Sequence, residues 1–200
     1  MGKNSFEFWF DFASTYSYLS VYRIENLAQQ SGIAIDWMPF LLGPFFNSQG
    51  WDTSPFNIYK AKGDYMWRDI ERNCEKFGIP FTKPSEFPRN GLLAARIAIA
   101  FDNENWAPVF TRLLFRANFA DDKNISDKEV ITSILKSLDL DAHTILQQAT
   151  TRENKDKLRE RTQLATEKGI FGAPTFVIGD EIFWGNDRLE DAFSWYEKHK

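Results

Sequence analysis

The chain has 200 residues, 43% of them hydrophobic and 16% aromatic. That is enough for one packed domain, or one domain carrying a large insertion, and it excludes a disordered chain. Lys and Arg total 24 against 28 Asp and Glu, a net charge of -4, which argues against a surface for nucleic acid or for an anionic membrane. The opening MGKNSFEFWFDF places acids inside its apolar stretch, unlike a secretory signal, and no stretch reaches the roughly 20 apolar residues of a membrane span; the expected location is cytoplasmic.

SFEFWFDF, residues 5–12, alternates and is rich in aromatics, the pattern of a buried strand. Leu19, Tyr22, Ile24 and Leu27 recur at helical spacing and predict a helix over 15–31, with Gly32 as its stop. IAIDWMPFLL predicts a second strand that runs into Gly43 and Pro44. GPFFNSQGWDTSPFN then reads as a long loop. Beyond it the period is helical, with helices expected over 62–77, 90–101, 106–120, 127–138, 142–149 and 154–168. Ser126 followed by Glu129 reads as a capping box for the fourth of these. PTFVIGDEIFWG is a hairpin signal turning at Gly179 and Asp180, and a last helix is expected over 187–198. The order β-α-β, helical block, β-β-α is that of an α/β, thioredoxin-like fold with a large all-helical insertion. The expected division is a thioredoxin-like domain over 1–43 and 170–200, interrupted by a helical domain over 44–169.

Little in this chain suits metal or thiol chemistry. Cys74 is the single cysteine, has no partner for an internal disulfide, and reads as a packed thiol. His143 and His199 lie far apart with no acids at ligand spacing, and His199, next to last in the chain, is expected to be frayed. Two other constellations carry more. In FDFASTYSYLS, Ser14 falls where a strand gives way to a helix, a position suited to an N-cap. The free N–H groups and positive dipole end at such a position also stabilise an anion, including a thiolate, so both readings stand. In GIFGAPTFVI, Pro174 opens a strand. A trans proline makes this an ordinary junction, whereas a cis proline would leave the backbone groups of Ala173 unpaired and facing Ser14, able to pair with a peptide-like ligand. A hydrolase based on Ser14 would need a base and an orienting partner, and no histidine lies near either segment.

Ser14-Thr15-Tyr16-Ser17 together with Gly172-Ala173-Pro174 resembles the thioredoxin-superfamily active site in its DsbA-like branch. Both positions of the usual Cys-x-x-Cys are serine, which removes disulfide exchange. Within that branch the chain is similar to the 2-hydroxychromene-2-carboxylate isomerases and the related kappa-class glutathione transferases, where a serine replaces the first cysteine. Lys62-Gly63, the run Asn90 to Arg96, and Gly185-Asn186-Asp187-Arg188 extend the likeness over nearly the whole chain. The resemblance implies glutathione as cofactor. Lys62 and the Asn186-Asp187 pair would hold its terminal groups, Ala173 beside Pro174 its cysteinyl backbone, and Ser14 its sulfur; Thr53 stands where kappa enzymes carry asparagine. It also implies a small aromatic substrate, isomerised in the degradation of aromatic compounds, and a possible homodimer. Phe45, Phe46, Trp51 and Phe56 are candidates to wall a flat substrate. Conjugation of electrophiles, as in kappa enzymes, and a non-catalytic glutathione-binding module are the alternatives.

Overall fold

A computed structural model describes residues 5–199. The first four residues and Lys200, which the expected thioredoxin-like unit includes, lie outside the described residues.

Strand β1 (Phe6–Phe10) pairs in parallel with β2 (Ile35–Pro39) and antiparallel with β3 (Thr175–Ile178), which turns at Gly179 and Asp180 into β4 (Glu181–Trp184). The sheet order is β2-β1-β3-β4. Helix α1 (Thr15–Ser31) joins β1 to β2, and α10 (Leu189–His199) follows β4 after a single 3-10 turn, Asn186–Arg188. Between β2 and β3 the described chain is helical: α2 (Leu42–Ser48), α3 (Pro55–Ile58), α4 (Lys60–Phe77), α5 (Leu92–Ala100), α6 (Ala107–Phe119), α7 (Lys128–Ser137), α8 (Ala142–Ala149) and α9 (Arg152–Glu167).

The central strand explains why the sheet is covered on both faces. Alternation sends Phe6, Phe8 and Phe10 to one side, where they join Phe12, Phe115, Phe176 and Phe193 in the main core. Phe8 stacks on Phe10 at 5.1 Å and on Phe176 at 5.5 Å. Trp9 points the other way into a smaller cluster with Phe40, Ala165, Ile170 and Val177, beneath α9. Burying one such ring is worth roughly 1.5–3 kcal/mol, against about 0–1 kcal/mol for an exposed ion pair, so the aromatic strand outweighs the surface charges in holding the fold.

Three expectations need correction. Residues 43–57 are not one loop. Ser54 accepts the Phe56 N–H at 3.3 Å and Pro55 follows as the first helical residue, so a cap and an N1 proline start α3 where Ser and Pro read as loop formers. Gly43 and Pro44 sit in the first turn of α2, where backbone N–H groups have no helical partner to lose. The capping box at Ser126 does not form: Asp127 is the cap residue, and the Ser126 hydroxyl donates to the Asn124 side chain at 2.8 Å, a closer local acceptor. His199 is not frayed, because its ring stacks on Trp195 at 4.0 Å and its Nδ1 lies 2.8 Å from the Trp195 carbonyl oxygen.

Cys74 is 3% exposed within the main core, and burial pushes its thiol up to about 12. The native protein at neutral pH should therefore resist thiol-alkylating reagents and take up one label per chain only after denaturation. Mass spectrometry of native and denatured samples checks this, and rapid labelling of the native chain would contradict the packing described.

Candidate functional site

The turn between β1 and α1 is tied from several directions. The Ser14 N–H donates to the Asp11 carbonyl at 2.9 Å, and the Tyr18 N–H donates to the Ser14 carbonyl at 3.2 Å. Ser14 is extended (φ -81°, ψ 116°) and caps α1: its Oγ accepts the Ser17 N–H at 3.1 Å. The same hydroxyl donates to the Ala173 carbonyl at 3.0 Å, across 159 residues of sequence. Ser14 is half-buried. No acidic residue of α1 itself occupies the first turn of this 17-residue helix, although the Asp69 and Asp187 carboxylates lie near Tyr16 in that turn. The second serine, Ser17, is fully buried, and its hydroxyl has no hydrogen-bond partner among the described residues.

The Ala173–Pro174 peptide is cis. Of the two backbone groups of Ala173, the carbonyl is taken by Ser14 itself, a correction to the expectation that both are free; the N–H donates to none of the described residues. Pro174 is buried and its carbonyl accepts the Gly185 N–H at 3.0 Å, which brings the turn after β4 alongside.

That turn holds Asn186 and Asp187, and the two differ sharply. Asn186 is 4% exposed, and its side-chain oxygen accepts from Arg23 at 2.7 Å and from Ser20 at 3.2 Å. It bolts the turn to α1 rather than facing outward. The Asp187 carboxylate is exposed and lies close enough to Tyr16 to help hold the phenol in its neutral form. Tyr16 donates to Asp69 of α4 at 3.1 Å; burial, then the Asp69 charge and that hydrogen bond, raise its pKa well above the ordinary phenol value.

Lys62 stands on α4, exposed, with its ammonium 5.6 Å from the Phe56 ring centroid, and joins no ion pair among the described residues. Phe56 lies 6.3 Å from the Tyr16 ring, so α3 links Lys62 to the α1 turn. This approach depends on Gly63, where an added Cβ would meet the Phe56 carbonyl oxygen at 2.2 Å. Thr53 is half-buried beside α3 and accepts from the Asn57 amide at 3.1 Å. Phe45, Phe46 and Trp51 form a partly exposed group of their own on and after α2, with successive centroids 6.4 and 6.2 Å apart.

Ser14, Ala173, Pro174, Gly185 and the Asn186-Asp187 turn are thus joined by direct bonds, and Lys62 is reached through Phe56. The two cavities described for the chain open elsewhere, a groove of about 570 Å³ between α7 and α8 and one of about 260 Å³ beside β2 and α6. Among the described residues no cluster of His, Cys, Asp or Glu is arranged to hold a metal, and no helix is long and apolar enough to cross a membrane.

Sequence reasoning passed over Asp11, although a lone acid in the aromatic run FDF is itself a signal. Its carboxylate accepts the Ala13 N–H at 2.7 Å and the Leu42 N–H at 2.8 Å, tying the Ser14 turn to the start of α2. Burial raises its pKa above the ordinary 3.8, and the two backbone donors only partly offset this. A folded-state pKa raised above the unfolded one gives stability that is full below 3.8 and lost as pH rises through the raised value. The difference in Tm between wild type and Asp11→Asn should therefore favour wild type most at low pH and shrink as pH rises; a difference that grows with pH would contradict burial as the dominant cause.

The chain is 29% identical over 187 residues to 2-hydroxychromene-2-carboxylate isomerase of Pseudomonas putida, covering 92% of this chain and 89% of that one. It is 28% identical over 198 residues to glutathione S-transferase kappa 2 of Caenorhabditis elegans, covering 92% and 87%. A solved 2-hydroxychromene-2-carboxylate isomerase superposes with a TM-score of 0.84 at 28% identity, over 97% of this chain and 95% of that one. Residues 6–195 match the DSBA-like thioredoxin domain, and with a sheet, a helical insertion and a cis-proline turn arranged as described, the chain belongs to that family.

Proposed function

We propose that this chain is a glutathione-dependent isomerase acting on a small aromatic substrate of the 2-hydroxychromene-2-carboxylate type. The observation that carries the reading is the Ser14 hydroxyl, which caps the head of α1 and donates to the Ala173 carbonyl next to a cis proline. It is supported by the likeness to isomerases of that name.

The residues present suit glutathione, a peptide with two carboxylates and an ammonium. The free N–H of Ala173 is a donor for a peptide carbonyl, as in a short added strand. The Lys62 ammonium suits a carboxylate and the Asp187 carboxylate suits an ammonium. Asn186, committed to Ser20 and Arg23, contributes by fixing the turn that presents Asp187. Thr53 beside α3 is the nearest counterpart to the kappa asparagine. Glutathione would supply a thiolate nucleophile that adds to the substrate and later leaves, so that the net change is isomerisation.

Ser14 has one proton to give. In the structure it is directed at the Ala173 carbonyl, so activating a thiol requires that hydroxyl to turn toward the incoming sulfur while still accepting from Ser17. A hydrogen bond to a charged group is worth about 1.5–3 kcal/mol, which at about 1.4 kcal/mol per pKa unit corresponds to roughly one to two units. The helix dipole acts in the same direction. Phe45, Phe46, Trp51 and Phe56 are the proposed walls for a flat substrate. The second reading is conjugation of an electrophile, favoured by the likeness to the kappa transferase.

Calorimetry with glutathione should show binding to wild type and to Ser14→Ala alike, and thiolate absorbance of the complex should titrate one to two pKa units higher in Ser14→Ala, since about that much is assigned to the hydroxyl. No heat of binding at millimolar glutathione would sink the proposal. Lys62→Ala should weaken binding by no more than about fivefold, because the ammonium is exposed. With a chromene carboxylate as substrate, glutathione that is conserved over many turnovers identifies an isomerase; its stoichiometric loss identifies a transferase.

A further inference from the structure

The Ser14 turn is gripped from the helical insertion by a buried polar chain that the proposed mechanism does not use. Asn118, near the end of α6, is 1% exposed and donates its side-chain N–H to the Phe12 carbonyl at 3.1 Å, two residues before Ser14. Its side-chain oxygen accepts from Arg89 at 3.2 Å, and its backbone carbonyl accepts from the same guanidinium nitrogen at 3.1 Å. Arg89 is 4% exposed and is itself anchored by the Asp122 carboxylate and the Lys123 carbonyl. On the same side, Gly91 packs directly under Phe12, where an added Cβ would lie 2.8 Å from the Phe12 Cβ.

The chemistry of this chain dictates which way the amide of Asn118 points. A guanidinium has only donors, so it must face the amide oxygen, and this leaves the amide N–H for the Phe12 carbonyl. Reversing the amide would set donor against donor and acceptor against acceptor in a site closed to water, which costs about as much as leaving a buried polar group unpaired.

We infer that Asn118, oriented by Arg89, is a positioning residue that sets the backbone of residues 11–14 and thereby aims the residue-14 side chain and the first N–H groups of α1 at the reacting sulfur. This rests on the reading of Ser14 as the group that stabilises a thiolate, but it concerns the turn rather than the ligand. A residue that only props the core would lower stability and leave the electrostatics at position 14 as they are.

The test places a sulfur in the protein itself. In a Ser14→Cys background, the pKa of the introduced thiol is read from thiolate absorbance and from the pH dependence of alkylation, with Cys74 buried and silent. Adding Asn118→Leu, which keeps size and removes the amide without adding charge, should raise that pKa by about one unit and leave roughly tenfold less thiolate below it. Adding Arg89→Lys, which retains a cation for Asp122 but no longer brackets the amide, should shift it in the same direction by less. If Asn118→Leu does not fold, the Arg89→Lys variant decides. A thiol that titrates as in the Ser14→Cys parent, in a folded variant of lowered Tm, overturns the positioning role. Failure of glutathione to bind wild type would overturn the proposed cofactor yet leave this titration readable, so the two failures are distinguishable.

Discussion

One hydroxyl joins the two halves of the described site. The Oγ of Ser14 accepts from the first turn of its own helix and donates to the carbonyl before the cis proline, so a local cap and a contact spanning 159 residues share a single atom. The rest of the arrangement serves that meeting. The Phe-lined face of β1 and the antiparallel pairing with β3 bring residues 11–14 and 172–174 to the same end of the sheet, and the bond from Gly185 to Pro174 draws in the turn that carries Asp187. Loss of either strand's register would separate the two carriers of the site, since a one-residue slip would send the Phe face of β1 to the wrong side.

The strands and long helices were legible because their signals are periodic and local. Alternating phenylalanines mark β1, the apolar spacing of Leu19 to Leu27 marks α1, and Gly179-Asp180 between two β-rich runs marks the hairpin. The misses fall where a residue type serves two purposes. Gly43, Pro44 and Pro55 are loop formers by composition, yet they occupy the first turns of helices where a missing N–H costs little. Ser126 had the right spacing from Glu129, but Asn124 offered its hydroxyl a nearer acceptor.

Within the site, Ser14 and Pro174 were readable because a cap and a strand-opening proline are local features. What Asn186 does was not. Its neighbours in sequence give no hint that Ser20 and Arg23 on α1 claim its side chain. The grip of Asn118 on Phe12 and of Arg89 on Asn118 spans 106 and 29 residues, and no periodicity in the chain encodes such pairings. Asp11 was in plain view as the acid in an aromatic run, but its two backbone partners become visible only once α2 is known to start at Leu42.

The packing of Cys74 has a bearing on how such a protein would behave under oxidative stress. The one cysteine sulfur is sealed in the core and both motif positions are hydroxyls, so peroxide meets no exposed cysteine thiol among the described residues. Under the proposed function, sensitivity of thiol chemistry to oxidants would enter from outside, through the supply of the thiol ligand proposed for the turn at Ser14.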